Sequence, residues 1–249
     1  MTARYLYAVI LFAALMARPA HAAPFDNWAA MVIAGDWHAH SGAASEVFDN
    51  ARRDISKDLA KMGFAENHIQ EYSARPAADS RHPFHADPAT IGANFRKLTQ
   101  QAAAGCFVYL TTHGAPLGVA MGDGIVPIRE IGDLLDQSCS ARPTVIVVSA
   151  CFSGMFIPVL QASNRMVVTA ARGDRTSFGC GETNTYTFFD QCILESLPES
   201  MTFPMLADTA KECVAAREKA ENVTPPSDPQ VYIGSSISSQ LNSLTFSVH

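Results

Sequence analysis

The chain has 249 residues, a formal net charge of −6 at pH 7 and 17% charged residues. It carries no basic run and no stripe of basic residues interleaved with aromatics, which argues against nucleic acid as a partner. The cysteines (Cys106, Cys139, Cys151, Cys180, Cys192 and Cys213) show no C-x-x-C spacing and no histidines cluster with them, so neither a metal site nor a cofactor is expected.

At the N-terminus a single basic residue, Arg4, precedes the apolar stretch Leu6 to Met16, and Ala20-His21-Ala22 supplies small residues at the cleavage positions. This is the pattern of a secretory signal peptide cut after Ala22. Its apolar core is too short to span a bilayer comfortably. The expectation is an exported protein, periplasmic or extracellular, with no membrane anchor after cleavage. Residues 23–249 then suffice for one α/β domain.

The first strand is expected over 29–36 (AAMVIAGD) and the first helix over 45–64, where Val47, Phe48, Ile55, Leu59 and Met62 recur at helical spacing before Gly63. A short strand follows at 68–73, then a Pro-rich polar loop with His82 and His85, then a helix over 89–104. The run CFVYLTT (106–112) reads as a buried strand, followed at His113 by a loop with Gly114, Gly118, Gly122 and Gly124. An amphipathic helix at 128–138 leads to two more buried strands, 144–150 and 166–171. Helices at 183–197 and 203–220 and a last strand at 229–236 complete the chain. Six strands alternate with helices, and the central ones are apolar on both faces, so a mostly parallel sheet covered on both sides is expected. Such sheets keep their chemistry at the carboxyl ends of the strands.

Two strands end in reactive side chains there. The strand over 106–112 stops at His113-Gly114, and TVIVVSACFSG (144–154) stops at Cys151. One loop, one helix and one strand separate them, the length of a right-handed crossover between neighbouring parallel strands. His113 and Cys151 should emerge side by side as an acid/base and nucleophile pair. The Gly114 and Cys151 backbone amides can face a developing oxyanion. A helix starting just after Cys151 would favour its thiolate, although Pro158 weakens that helix. The bland alternatives are an inert buried thiol and an ordinary His-Gly turn.

VYLTTHG and VIVVSACFSG resemble the His-Gly and Ala-Cys motifs of caspase-like (clan CD) cysteine peptidases, most nearly the legumain family, C13. TAARGDRTSFGC (169–180), YTFFD (186–190) and PPSDPQVYIG (225–234) resemble segments that follow the nucleophile in its bacterial members. The resemblance implies a caspase-like three-layer sandwich around a six-stranded sheet, and a peptide or protein substrate. In that reading Cys151 attacks the carbonyl, His113 protonates the leaving amine and Gly114 helps form the oxyanion hole. By position it puts Ser177 and Asp190 in the pocket for the residue before the scissile bond, with Asp36 a further candidate from the loop after the first strand. Asn50 is equally a helix N-cap and Arg52 a solvated helix charge, so a preference for cleavage after Asn is not carried over. Members that pass the acyl group to an amine share the acyl-enzyme step, so a transpeptidase or transamidase is the alternative. A caspase-like binding module without turnover is another.

Cys106 and Cys139 each precede one of the two strands that end in His113 and Cys151. They should meet at the opposite edge of the sheet, as a bridge or as two reduced buried thiols. Cys192 and Cys213 lie on successive helices and can pair as well. Cys151 and Cys180 are then left free.

Overall fold

Strands apolar on both faces must be covered twice, and this chain covers them with helices. The computed structural model describes residues 23–247. The signal segment expected over residues 1–22 lies outside the described residues.

In chain order the elements are β1 (Trp28–Ala34), α1 (Val47–Met62), β2 (Ile69–Ser73), β3 (Phe84–His85), α2 (Pro88–Gln101), β4 (Gly105–Thr111), β5 (Gly114–Ala115), β6 (Gly118–Met121), β7 (Gly124–Pro127), α3 (Ile128–Cys139), β8 (Thr144–Ser149), α4 (Ile157–Leu160), β9 (Arg165–Thr169), α5 (Phe188–Ser196), α6 (Phe203–Ala220), β10 (Gln230–Ile233) and α7 (Ser238–Ser243). The main sheet runs β10-β9-β8-β4-β1-β2-β3, and only the β10–β9 pairing is antiparallel. Strand order reverses between β1 and β4, so a crevice is expected at their carboxyl ends.

The period of two sorts the strand residues cleanly. Val32, Phe107, Tyr109, Val145 and Val147 pack with Ile55 and Leu59 of α1, Phe189 and Ile193 of α5, and Phe203 and Leu206 of α6. Met31, Ile33, Val108, Leu110, Ile146 and Val148 pack with Ile91 and Phe95 of α2 and with Ile131 and Leu135 of α3. Caps fix the helix ends. Asp87 accepts from the Thr90 amide at 2.9 Å ahead of Pro88 in α2, and Gly63 ends α1 in the left-handed conformation at φ 110°.

The sheet has seven strands where six were expected. The addition is β3, whose two residues pair with Tyr72 and Ser73 inside the stretch read as a solvated loop. Both are exposed, and two residues are too few for alternation to show. The Gly-rich loop after His113 is a three-stranded antiparallel meander, β5-β6-β7. No full helix follows Cys151: a 3-10 turn at Ser153–Phe156 leads into the single turn of α4, with Pro158 at its start. The helix expected from residue 183 begins at Phe188, because Thr187 caps it by accepting from the Asp190 amide at 3.1 Å.

Arg52 is not a solvated charge. It is fully buried, with Nε on Asp49 at 2.8 Å and its other nitrogens on Glu71 and Asp79. One guanidinium thus joins α1, β2 and the loop after β2, and those long-range partners leave no trace in local sequence. Asn50 is not the cap of α1 either; its side-chain amide donates to the Thr185 carbonyl at 3.0 Å. Two disulfides are present: Cys106–Cys139, Cα atoms 6.1 Å apart, ties β4 to α3, and Cys192–Cys213, Cα atoms 5.6 Å apart, ties α5 to α6 within one helical layer. Cys151 and Cys180 are free.

Candidate active site

The register explains why two distant residues meet. Thr111 of β4 pairs with Ser149 of β8, and the Thr112 amide extends the ladder by donating to the Ser149 carbonyl at 3.1 Å. Two residues further on each chain stand His113 and Cys151. On the other flank Ala34 of β1 pairs with Thr111, and the Gly35 amide donates to the Thr111 carbonyl at 3.0 Å. The loop beginning at Asp36 therefore leaves the sheet beside His113. His113 and Cys151 line one cleft together with Phe48, Thr112, Ser149, Ser177, Phe178, Cys180 and Thr187.

The His113 ring is held from two directions. Its Nε2 lies 3.0 Å from the His38 carbonyl oxygen. A carbonyl only accepts, so Nε2 carries a proton and Nδ1 is the nitrogen left for proton exchange. Phe48 meets the ring edge-on with centroids 5.0 Å apart. The Cys151 thiol contacts the Ser177 main chain: its sulfur accepts from the amide at 3.3 Å and its S–H points to the carbonyl at 3.5 Å. Phe152 then adopts φ 57°, the left-handed region that costs a bulky residue about 1–3 kcal/mol. That turn lets the Phe152 amide donate to the Arg175 carbonyl at 2.8 Å, and Ser153 ties in the segment that follows β9 by accepting from the Ala171 amide at 3.0 Å. Gly114 packs directly on the Cys151 backbone, since a Cβ there would lie 2.0 Å from the Cys151 carbonyl oxygen.

Burial pushes the Cys151 thiol above its ordinary value, against the pull of the Ser177 amide. Cys180 is also pushed up, by burial first and then by its neighbour Cys151. With no helix beginning immediately after Cys151, the thiolate stabilisation expected from a helix dipole is missing. The raised pKa favours the neutral form of the Cys151 thiol at rest. Its alkylation by iodoacetamide should therefore rise steadily between about pH 6 and about pH 8.5, whereas a preformed thiolate–imidazolium pair reacts at a flat rate. Peptide mass mapping of the Cys151 label across that range is the check, and a plateau below about pH 7 would contradict a neutral resting thiol.

The other expected site residues fall in three different places. Ser177 is on the cleft wall. Asp190 lies one layer below it, fully buried, accepting from the Tyr109 hydroxyl at 2.7 Å and the Thr111 hydroxyl at 2.6 Å. Burial raises its pKa, against hydrogen bonds from Thr111 and Tyr109. Toward the cleft it is hydrogen-bonded to Thr187 and Ser149, whose hydroxyls are 3.3 Å apart. Asp36 does not line the cleft; its Oδ1 accepts from the Trp37 and His38 amides and from His38 Nδ1. Sequence reasoning missed His38, whose role is a backbone carbonyl. It also missed Phe48, which reads as one more core position of α1. Among the described residues the one group at metal-ligand spacing is Cys192, Glu195 and Cys213, and its two cysteines are bridged to each other.

An α/β sandwich with a cysteine and a histidine on adjoining strand ends defines the class: a caspase-like protein. Residues 82–239 match the Peptidase C13 family, and the chain belongs to that family of cysteine peptidases. Its fold is similar to the crystal structure of caspase-1 from Spodoptera frugiperda, with a TM-score of 0.59 and 15% identity over 85% of this chain and 90% of that one. Among curated proteins none matches the chain.

Proposed function

We propose that the protein is an exported cysteine endopeptidase working through an acyl-enzyme. Cys151 attacks the scissile carbonyl as its proton passes to Nδ1 of His113, and the imidazolium so formed returns that proton from Nδ1 to the departing amine. The Gly114 and Cys151 amides stabilise the oxyanion, and water then hydrolyses the thioester. Ser177 contacts the residue before the scissile bond, and Asp190 braces the hydroxyl floor of its pocket from below. Export rests on the signal-like stretch before Ala22. The observation that carries the reading is the shared cleft of His113 and Cys151, with Nε2 of the histidine already engaged by the His38 carbonyl.

The test is a peptide library read by mass spectrometry, beside an electrophilic acyl probe. Cleavage with a consistent residue before the cut, and probe labelling of Cys151 that is lost in His113→Ala, are expected. A folded, reduced protein that neither cuts nor labels would sink the enzyme reading and leave a binding module. Products joined to an added amine in preference to water would make it a transamidase.

A further inference from the structure

We propose that Asp36 is a positioning residue for His113: its carboxylate fixes His38 so that the His38 carbonyl holds the imidazole in its Nε2–H tautomer. The proposal rests on the peptidase reading for its catalytic consequence, but its structural half stands without it.

One oxygen of Asp36 takes three donors: the Trp37 amide at 2.6 Å, the His38 amide at 3.0 Å and His38 Nδ1 at 2.7 Å. Main chain and side chain of His38 are therefore tied to one point, which sets the direction of the next carbonyl. That carbonyl accepts from His113 Nε2 at 3.0 Å. The loop is anchored on both sides of this turn. Upstream, Gly35 continues the sheet through the Thr111 carbonyl; downstream, the Ser45 amide donates to the Trp37 carbonyl at 2.9 Å. Between those anchors Asp36 supplies the side-chain bonds that orient residues 36–38. Phe48 restrains the plane of the imidazole but offers no acceptor, so tautomer choice falls to the His38 carbonyl. An imidazole released from it can put its proton on Nδ1, the nitrogen meant to exchange one with the substrate, and that state is inactive.

The experiment uses the full chain labelled with ¹⁵N in histidine, comparing wild type, Asp36→Ala and Asp36→Asn, with His113 assigned by its loss in His113→Gln. Wild type should show the Nε2–H imidazole pattern at His113. In Asp36→Ala the pattern should move toward a mixture of tautomers, and kcat on a cleaved peptide should fall about 10- to 100-fold with KM little changed, the scale of a misplaced acid/base group. Asp36→Asn keeps an oxygen that accepts from all three donors, so it should restore both readouts. A purely structural role would lower the melting temperature without moving the His113 resonances, and a His113 spectrum identical to wild type in folded Asp36→Ala overturns the proposal. Should that variant not fold, Asp36→Ser, whose oxygen can take fewer of the donors, replaces it: a shifted His113 pattern supports the positioning role and an unchanged one rejects it. A tautomer shift in a protein without peptidase activity would retain the positioning role and reject the peptidase reading.

Discussion

Cys151→Ala is expected to lose turnover by about four orders of magnitude or more while remaining folded, the scale on which removal of a catalytic nucleophile acts. The activity loss follows from chemistry, since alanine cannot form the thioester. The survival of the fold follows from position. The thiol is only partly buried at a strand end, and its contacts are two long sulfur bonds to the Ser177 main chain. Their removal should cost within about 1 kcal/mol, or a few degrees in melting temperature for a domain of this size. Cys180 in the same cleft is the rival nucleophile. Turnover in Cys151→Ala within about tenfold of wild type, or an acyl label mapped to the Cys180 peptide, would transfer the role to it. Melting and turnover measured on one preparation separate chemical loss from unfolding.

What was legible in the sequence was local apolar patterning. Short continuous apolar runs located the central strands, helical spacing located α1, α3 and α6, and the position of His113 and Cys151 after two such runs placed them at one edge of the sheet. The Cys106–Cys139 pairing was legible as one of two options, because residues preceding neighbouring parallel strands share an edge, while Cys192–Cys213 had only the succession of two helices behind it. What stayed hidden depends on contacts between distant segments. Arg52 has the sequence context of a surface helix charge, and its neutralisation by Glu71 and Asp79 exists only once β2 and its following loop have docked. His38 acts through a carbonyl, which every residue possesses. Asp190 could be assigned to the neighbourhood of the pocket but not to its depth, because depth is set by Tyr109 and Thr111 of β4 reaching it from the far side. β3 was too short for any period, and the meander after His113 was masked by its glycines, which mark turns and close approaches alike.

Gly114→Ala should damage both activity and stability, and a second glycine on the same meander supplies its control. A Cβ at 114 would sit 2.0 Å from the carbonyl oxygen of Cys151, 2.9 Å from its carbon and 3.0 Å from its nitrogen. All three atoms are backbone, so no side chain can rotate aside. β5 must lift away from the Cys151 segment, and it drags the adjacent His113 with it. Overpacking of this kind costs about 1–3 kcal/mol. Displacing His113 from its near-attack position by about 1 Å should cost about 100-fold in kcat. Gly124, at the start of β7, has nothing within 4 Å of the same virtual carbon. Gly124→Ala should therefore leave melting temperature and turnover close to wild type. The contrast isolates space as the cause: both glycines lie outside the left-handed region, so neither substitution is penalised by its torsion. If Gly114→Ala retains wild-type kcat, the Gly114 and Cys151 backbones are not in contact in solution, and the oxyanion role assigned to the Gly114 amide fails with that contact. If kcat falls while iodoacetamide still alkylates Cys151 at the wild-type rate, the thiol itself is intact, and the loss belongs to the placement of His113 and the Gly114 amide around it.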